Sequence, residues 1–161
     1  VLEQADGFPF HHIHATGSFG KEWMPKRVKG NGVDYENCPA IDIREYIYDM
    51  PTVLTAADVV IGRAGSATCN EIAASGTPCI LVPSPNVTNN HQEKNARVLE
   101  SGGGAVVLLE KDCTAETLYG LIRQLLADEM RRAQMSRKLH AQLRPDSTDR
   151  ICAIVEEITG R

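Results

Sequence analysis

Residues 57 to 82 read ADVVIGRAGSATCNEIAASGTPCILV, and this stretch limits the fold more than any other. Ala57 to Ile61 is a short apolar run rich in β-branched residues, the pattern of a parallel strand buried on both faces. Gly62 to Ser66 punctuates it. From Ala67 to Ser75 the apolar residues Ala67, Ile72, Ala73 and Ala74 line one side of an expected helix, which Gly76 and Pro78 stop. Cys79 to Val82 then supplies a second apolar run. Strand, glycine turn, helix and strand make a βαβ crossover, which is right-handed and forces a parallel sheet. The helix start faces the carboxyl edge of that sheet, where open α/β folds bind ligands.

A helix start offers backbone N–H groups without intrahelical partners, together with the positive end of the helix dipole, so it suits a phosphate or a diphosphate. The residues RAGSAT match neither the Walker pattern, which needs a lysine after its second glycine, nor the spacing GxGxxG. Thr68 and Glu71 also fit a capping box, T-x-x-E, in which the glutamate bonds back to the helix start. From the residues alone, ligand binding and helix capping are both open roles for Glu71.

The rest of the chain supports the same architecture. Residues 1 to 6 read as the tail of a helix, Phe10 to Thr16 as a strand, and Lys21 to Lys29 as a helix before the break Gly30-Asn31-Gly32. Ala40 to Ile47 alternates well enough for a further strand, and Pro51 opens a short helix through Ala56. After Val82, two prolines in Pro83-Ser84-Pro85-Asn86 require a loop at the ligand edge. A helix from Asn89 to Ser101, a strand from Ala105 to Leu109, a Thr114-capped helix to Ala127, and helices at about 129–143 and 148–159 follow. The expected fold class is α/β, a Rossmann-like doubly wound parallel sheet. In such a sheet of order 3-2-1-4-5-6 the first strand lies in the middle. No stretch here supplies that strand with its glycine-rich turn, so two interior edges are expected to lack a neighbour, as in a fragment of a longer chain.

With 161 residues the chain is about one domain. A net charge of −4 gives no basic footprint for nucleic acid, and Lys21, Lys26, Arg27 and Lys29 read as a solvated helix face. No apolar run approaches membrane-spanning length and no signal peptide opens the chain, so a cytoplasmic location is expected. The five cysteines are scattered without a CxxC pair and read as reduced thiols; Cys69, beside the turn, has no adjacent histidine to activate it. His12 and His14 would share a strand face, but no third ligand joins them at metal spacing. No metal site and no cofactor are expected.

The segments YIYDM, ADVVIGRAGSATCNEIAASGTP and VTNNHQEKNA together resemble the carboxy-terminal domain of the MurG family, bacterial glycosyltransferases of peptidoglycan synthesis with the two-domain GT-B fold. The resemblance runs from about His12 to the end. It implies a donor domain for UDP-N-acetylglucosamine spanning residues 1–161, with an acceptor domain absent from this chain. That absent half would receive lipid I, touch the membrane on its inner face and hold the catalytic base. By resemblance Ile47 contacts the uracil through its backbone, and Ser66, Ala67 and Thr68 embrace the diphosphate. Glu71 holds the ribose hydroxyls, a role suited to two acceptor oxygens. His91 and Gln92 read the sugar hydroxyls, although the family commonly has glutamine at the first of these; Arg63 and Asn95 lie near the donor.

Three rival readings share parts of this pattern. One is the donor subunit of a two-subunit N-acetylglucosaminyltransferase, in which a separate membrane-bound chain takes the acceptor. Another is a non-catalytic nucleotide-binding module, against which the presence of both Glu71 and Gln92 argues. A UDP-sugar epimerase of the same fold is the third.

Overall fold

The computed structural model describes residues 10–143 and 146–160. The helix expected over residues 1 to 6 lies outside them. In chain order the elements are β1 (His12–Ala15), α1 (Gly17–Gly20), α2 (Trp23–Gly30), β2 (Ile41–Arg44), α3 (Met50–Ala56), β3 (Val60–Gly62), α4 (Ser66–Ser75), β4 (Cys79–Leu81), α5 (His91–Ser101), β5 (Ala105–Val107), α6 (Ala115–Ala127), α7 (Glu129–Gln142) and α8 (Ser147–Thr159). Every expected element within the described residues is present. The strands are shorter than their apolar runs: burial continues past the last ladder bond, so Val59, Val82 and Leu108 pack or pair without extending the strands.

All strand pairs are parallel, in two separate sheets. One is β1-β2; the other is β3-β4-β5. The larger sheet is covered on both faces. Cys79 and Leu81 of β4 point with Ala105 into a cluster built by Ile72 of α4, Ala96 and Leu99 of α5, and Leu139 of α7. Ile80, between them in β4, points the other way onto Ile122 and Leu125 of α6 and Met135 of α7. One residue of register in β4 therefore divides the core into two layers, as the period of two demands. The smaller sheet has a satellite core of Val28, Val33 and Ile41. Thr77 is the buried polar residue of the chain's described part, and its Oγ1 donates to the Leu54 carbonyl at 2.6 Å, tying α3 to the loop after α4.

Between the two sheets runs a groove of about 1500 Å³. Its walls include residues 10–16 and 56–62 without interruption, while β2, β4 and β5 contribute nothing. Consecutive lining residues mean that strand edges, not strand faces, border it. The edges of β1 and β3 that face the groove pair with no other strand among the described residues, and this is the position at which the doubly wound order places its first strand.

Candidate functional site

The turn from β3 into α4 builds the centre of the site. Gly62 ends the strand, with its carbonyl accepting from the Val82 amide at 2.9 Å. Gly65 is the residue before the helix, at φ −64° and ψ 151°, and no side chain caps α4. The first intrahelical bond is donated by the Cys69 amide to the Gly65 carbonyl at 2.9 Å. Ser66, Ala67 and Thr68 are thus the first three helical residues, whose N–H groups have no acceptor within the helix. The capping box, the alternative role of Thr68 and Glu71, is not formed. The helix begins two residues before Thr68, so Thr68 is the third residue inside it and Glu71 lies in the next turn, out of reach of the start.

Two glycines border this turn without being required by the protein around them. A Cβ at Gly62 or Gly65 would meet only Thr68, at 3.8 Å in each case. The φ and ψ of Gly65 are open to any residue. A glycine at such a place also lets another group approach the backbone closely.

Of the residues singled out in the sequence, Ile47, Thr68 and Glu71 come together along the groove. Strand β2 stops at Arg44, so Ile47 sits in the following loop and not at the strand end itself. As a whole residue it is only 7% exposed, on the wall of the groove. Glu71 is exposed on α4 and forms no ion pair among those of the described residues.

His91, Gln92 and Asn95 occupy the first turns of α5, on the neighbouring loop of the same sheet edge. Asn89 and Asn90 before it are both left-handed, at φ 55° and 51°, a conformation that asparagine tolerates better than other side chains. The His91 Nδ1 lies 2.9 Å from the Thr88 carbonyl. A carbonyl only accepts, so Nδ1 carries the proton and Nε2 of the neutral ring is left as an acceptor. The Gln92 Oε1 accepts from the Ser84 amide at 2.9 Å, which pins the two-proline loop and leaves the amide nitrogen as a donor. Asn95 and Arg63 turn inward to the protein: the Asn95 Nδ2 donates to the Ala64 carbonyl at 3.1 Å, and the Arg63 Nη1 donates to the Val82 carbonyl at 3.1 Å and pairs with the Glu110 carboxylate. Glu110 opens the short 3-10 turn Glu110–Asp112 after β5. No sequence pattern marked it, because its partner is 47 residues away.

Neither buried thiol is activated as a nucleophile. Cys69 and Cys79 are buried, and burial raises both; Cys79, with Cys69 beside it and its Sγ against the Gly104 carbonyl at 3.8 Å, is pushed up to about 12. Among the described residues no three of the His, Cys, Asp and Glu side chains are grouped to hold a metal ion, and no helix is long and apolar enough to cross a membrane.

Comparison with known proteins adds to this geometry. The profile of the glycosyltransferase family 28 C-terminal domain matches residues 2–151. The UDP-N-acetylglucosamine–N-acetylmuramyl-(pentapeptide) pyrophosphoryl-undecaprenol N-acetylglucosamine transferase of Acetivibrio thermocellus is 40% identical over 149 residues, which are 92% of this chain and 39% of that protein. The Bacillus cereus transferase 1 of the same name is 37% identical over 161 residues, all of this chain and 43% of that protein. The chain therefore spans about two-fifths of the length of the curated relatives it matches. Among solved structures, Acinetobacter baumannii MurG superposes with a TM-score of 0.79 at 26% identity, over 97% of this chain and 43% of that one. The calicheamicin glycosyltransferase CalG4, at 21% identity and a TM-score of 0.69 over 99% of this chain and 38% of that one, shares the fold.

Proposed function

The chain belongs to the glycosyltransferase family 28 C-terminal domain family, and on that premise we propose that it is the donor half of an inverting glycosyltransferase and holds UDP-N-acetylglucosamine at the β3–α4 turn. The observation that carries the reading is the uncapped start of α4 behind Gly65, where a Cβ would make only an ordinary contact with Thr68 at 3.8 Å. Free amides and the helix dipole neutralise a diphosphate there without metal. Glu71, one turn further on, offers two acceptor oxygens to the ribose, and Ile47, across the groove, offers backbone to the uracil. His91 and Gln92, with one acceptor and one donor left over, face the sugar.

The reaction that fits is transfer of N-acetylglucosamine to lipid I, giving lipid II for peptidoglycan. The 4-hydroxyl of the N-acetylmuramyl unit attacks the anomeric carbon, its proton passes to a base in the acceptor half, and the bond to the diphosphate oxygen breaks with its electron pair leaving on UDP. The α4 start receives that new charge. A single well-placed oxyanion donor typically contributes about 3–4 kcal/mol, so three unpartnered amides are a substantial share of the catalysis. The acceptor half also carries the contact with the inner face of the membrane.

Titration calorimetry tests this with UDP and UDP-N-acetylglucosamine, each with and without a chelator. The expected result is binding of both ligands, unchanged by chelation. Loss of binding in chelator sinks the metal-free diphosphate site.

A further inference from the structure

The turn that receives the diphosphate in the reading above is held from behind at two points. At the first, the carbonyl of Ala64, a residue with 0% exposure, accepts from the Asn95 side chain on α5. A buried carbonyl with this one side-chain partner fixes the orientation of the peptide between Ala64 and Gly65. At the second, the Arg63 guanidinium reaches back to the Val82 carbonyl at the end of β4 and to the Glu110 carboxylate just after β5. Val82 is itself bonded through its amide to Gly62. The carboxyl ends of β3, β4 and β5 are thereby joined by one side chain, across the positions from which the ligand-side loops leave the sheet.

We infer that Arg63, Asn95 and Glu110 are positioning residues of the diphosphate site: they set the direction of the turn's amides and do not themselves touch the ligand. Glu110 has a specific part. It balances the Arg63 charge and keeps that guanidinium on the protein side of the turn. The inference rests on the proposed binding of a UDP-sugar, and it makes the opposite prediction from a direct role for Arg63. A guanidinium that served as a diphosphate ligand would be released by loss of Glu110 and would bind UDP as well or better. A guanidinium that serves as a strut would lose its anchor, and UDP would bind less well.

The pair is half exposed, at 53% for Arg63 and 41% for Glu110, so its removal should scarcely move stability. The test compares UDP with uridine, on the protein as its host makes it, for wild type, Glu110→Ala, Glu110→Gln and Asn95→Ala. Glu110→Ala and Asn95→Ala should each weaken UDP by roughly 5- to 20-fold, the scale of one or two lost hydrogen bonds, and leave uridine within about twofold. Glu110→Gln, which keeps an acceptor for Arg63, should fall between wild type and Glu110→Ala, and the phosphorus resonances of bound UDP should shift in the same order. Equal or tighter UDP binding by Glu110→Ala overturns the inference, as does an equal loss of uridine and UDP, which marks a general structural role. A wild type that binds neither ligand removes the reading beneath it, an outcome distinct from either.

Discussion

Helix α4 has a glycine at each end, and the two are there for opposite reasons. Gly76, at the carboxyl end, is left-handed at φ 68°, its amide closes the helix onto the Ile72 carbonyl at 3.0 Å, and a Cβ there would fall on the His140 ring, 2.6 Å from Cε1. The fold needs that glycine. Gly65, at the amino end, has an ordinary backbone, and a Cβ there would make only an ordinary contact with Thr68 at 3.8 Å. The fold does not need it. Under the proposed binding of a UDP-sugar, the two glycines, eleven positions apart, report separately on stability and on ligand approach, and an activity-blind stability screen would find only the first.

Glu71 gives the largest expected effect on the ligand side of this contrast. Glu71→Ala should weaken UDP and uridine alike, by about 1.5–3 kcal/mol, because the ribose is common to both and charged hydrogen bonds are the stronger kind. Its thermal midpoint should stay near wild type, since Glu71 caps nothing. A mutant that melts early and binds UDP normally would return Glu71 to a structural role.

The carboxyl end comes next. Gly76→Ala forces a left-handed alanine and a displaced His140, and should cost about 1–3 kcal/mol of stability, read in urea melts. UDP affinity of the folded fraction should not change. Gly65→Ala is the converse: stability within about 0.5 kcal/mol of wild type, and UDP weakened by roughly 1–2 kcal/mol through a methyl placed against the diphosphate. If Gly65→Ala instead unfolds the protein, or binds UDP as wild type does, the contrast between the two ends disappears.

The smallest effect lies away from α4. His12, on the groove wall, is half-buried, its Nε2 has no hydrogen-bond partner, and burial lowers its pKa. The unfolded chain then binds the proton more readily than the folded one. Stability from this group is present above the unfolded value of about 6.5 and is lost as pH falls through the folded value. Wild type should therefore melt at slightly lower temperature at pH 5 than at pH 7, and His12→Asn should lessen the difference; equal pH dependence in both would remove His12 as the cause.

Much of this molecule is legible in local sequence. The pattern of apolar run, glycine turn and stopped helix at 57–82 specifies a parallel crossover by period alone, and α3, α5, α6 and α7 begin or end close to where their prolines, caps and glycines place them. The role of Thr68 was not legible, because the letters T-x-x-E are the same whether the helix starts just after Thr68, as a capping box requires, or at Ser66. Only the approach of β3 to α4 decides between the two. The side chains of Arg63 and Asn95 were likewise ambiguous: a cation and an amide beside a proposed anion site can face the anion or the backbone behind it.

The sequence by itself determined the secondary structure, the parallel sense of the sheets and the turn on which the candidate site is built, because these follow from the periods of strand and helix and from backbone limits at glycine and proline. Tertiary structure alone decided which polar side chains are spent on the protein. Glu110 meets Arg63 across 47 residues, Asn95 meets Ala64 across 31, and the strand edges of β1 and β3 face one another over a groove. Such partners are brought together by the packing of helices on a sheet, and a hydrogen bond satisfied at that distance leaves no period or spacing in the chain that makes it.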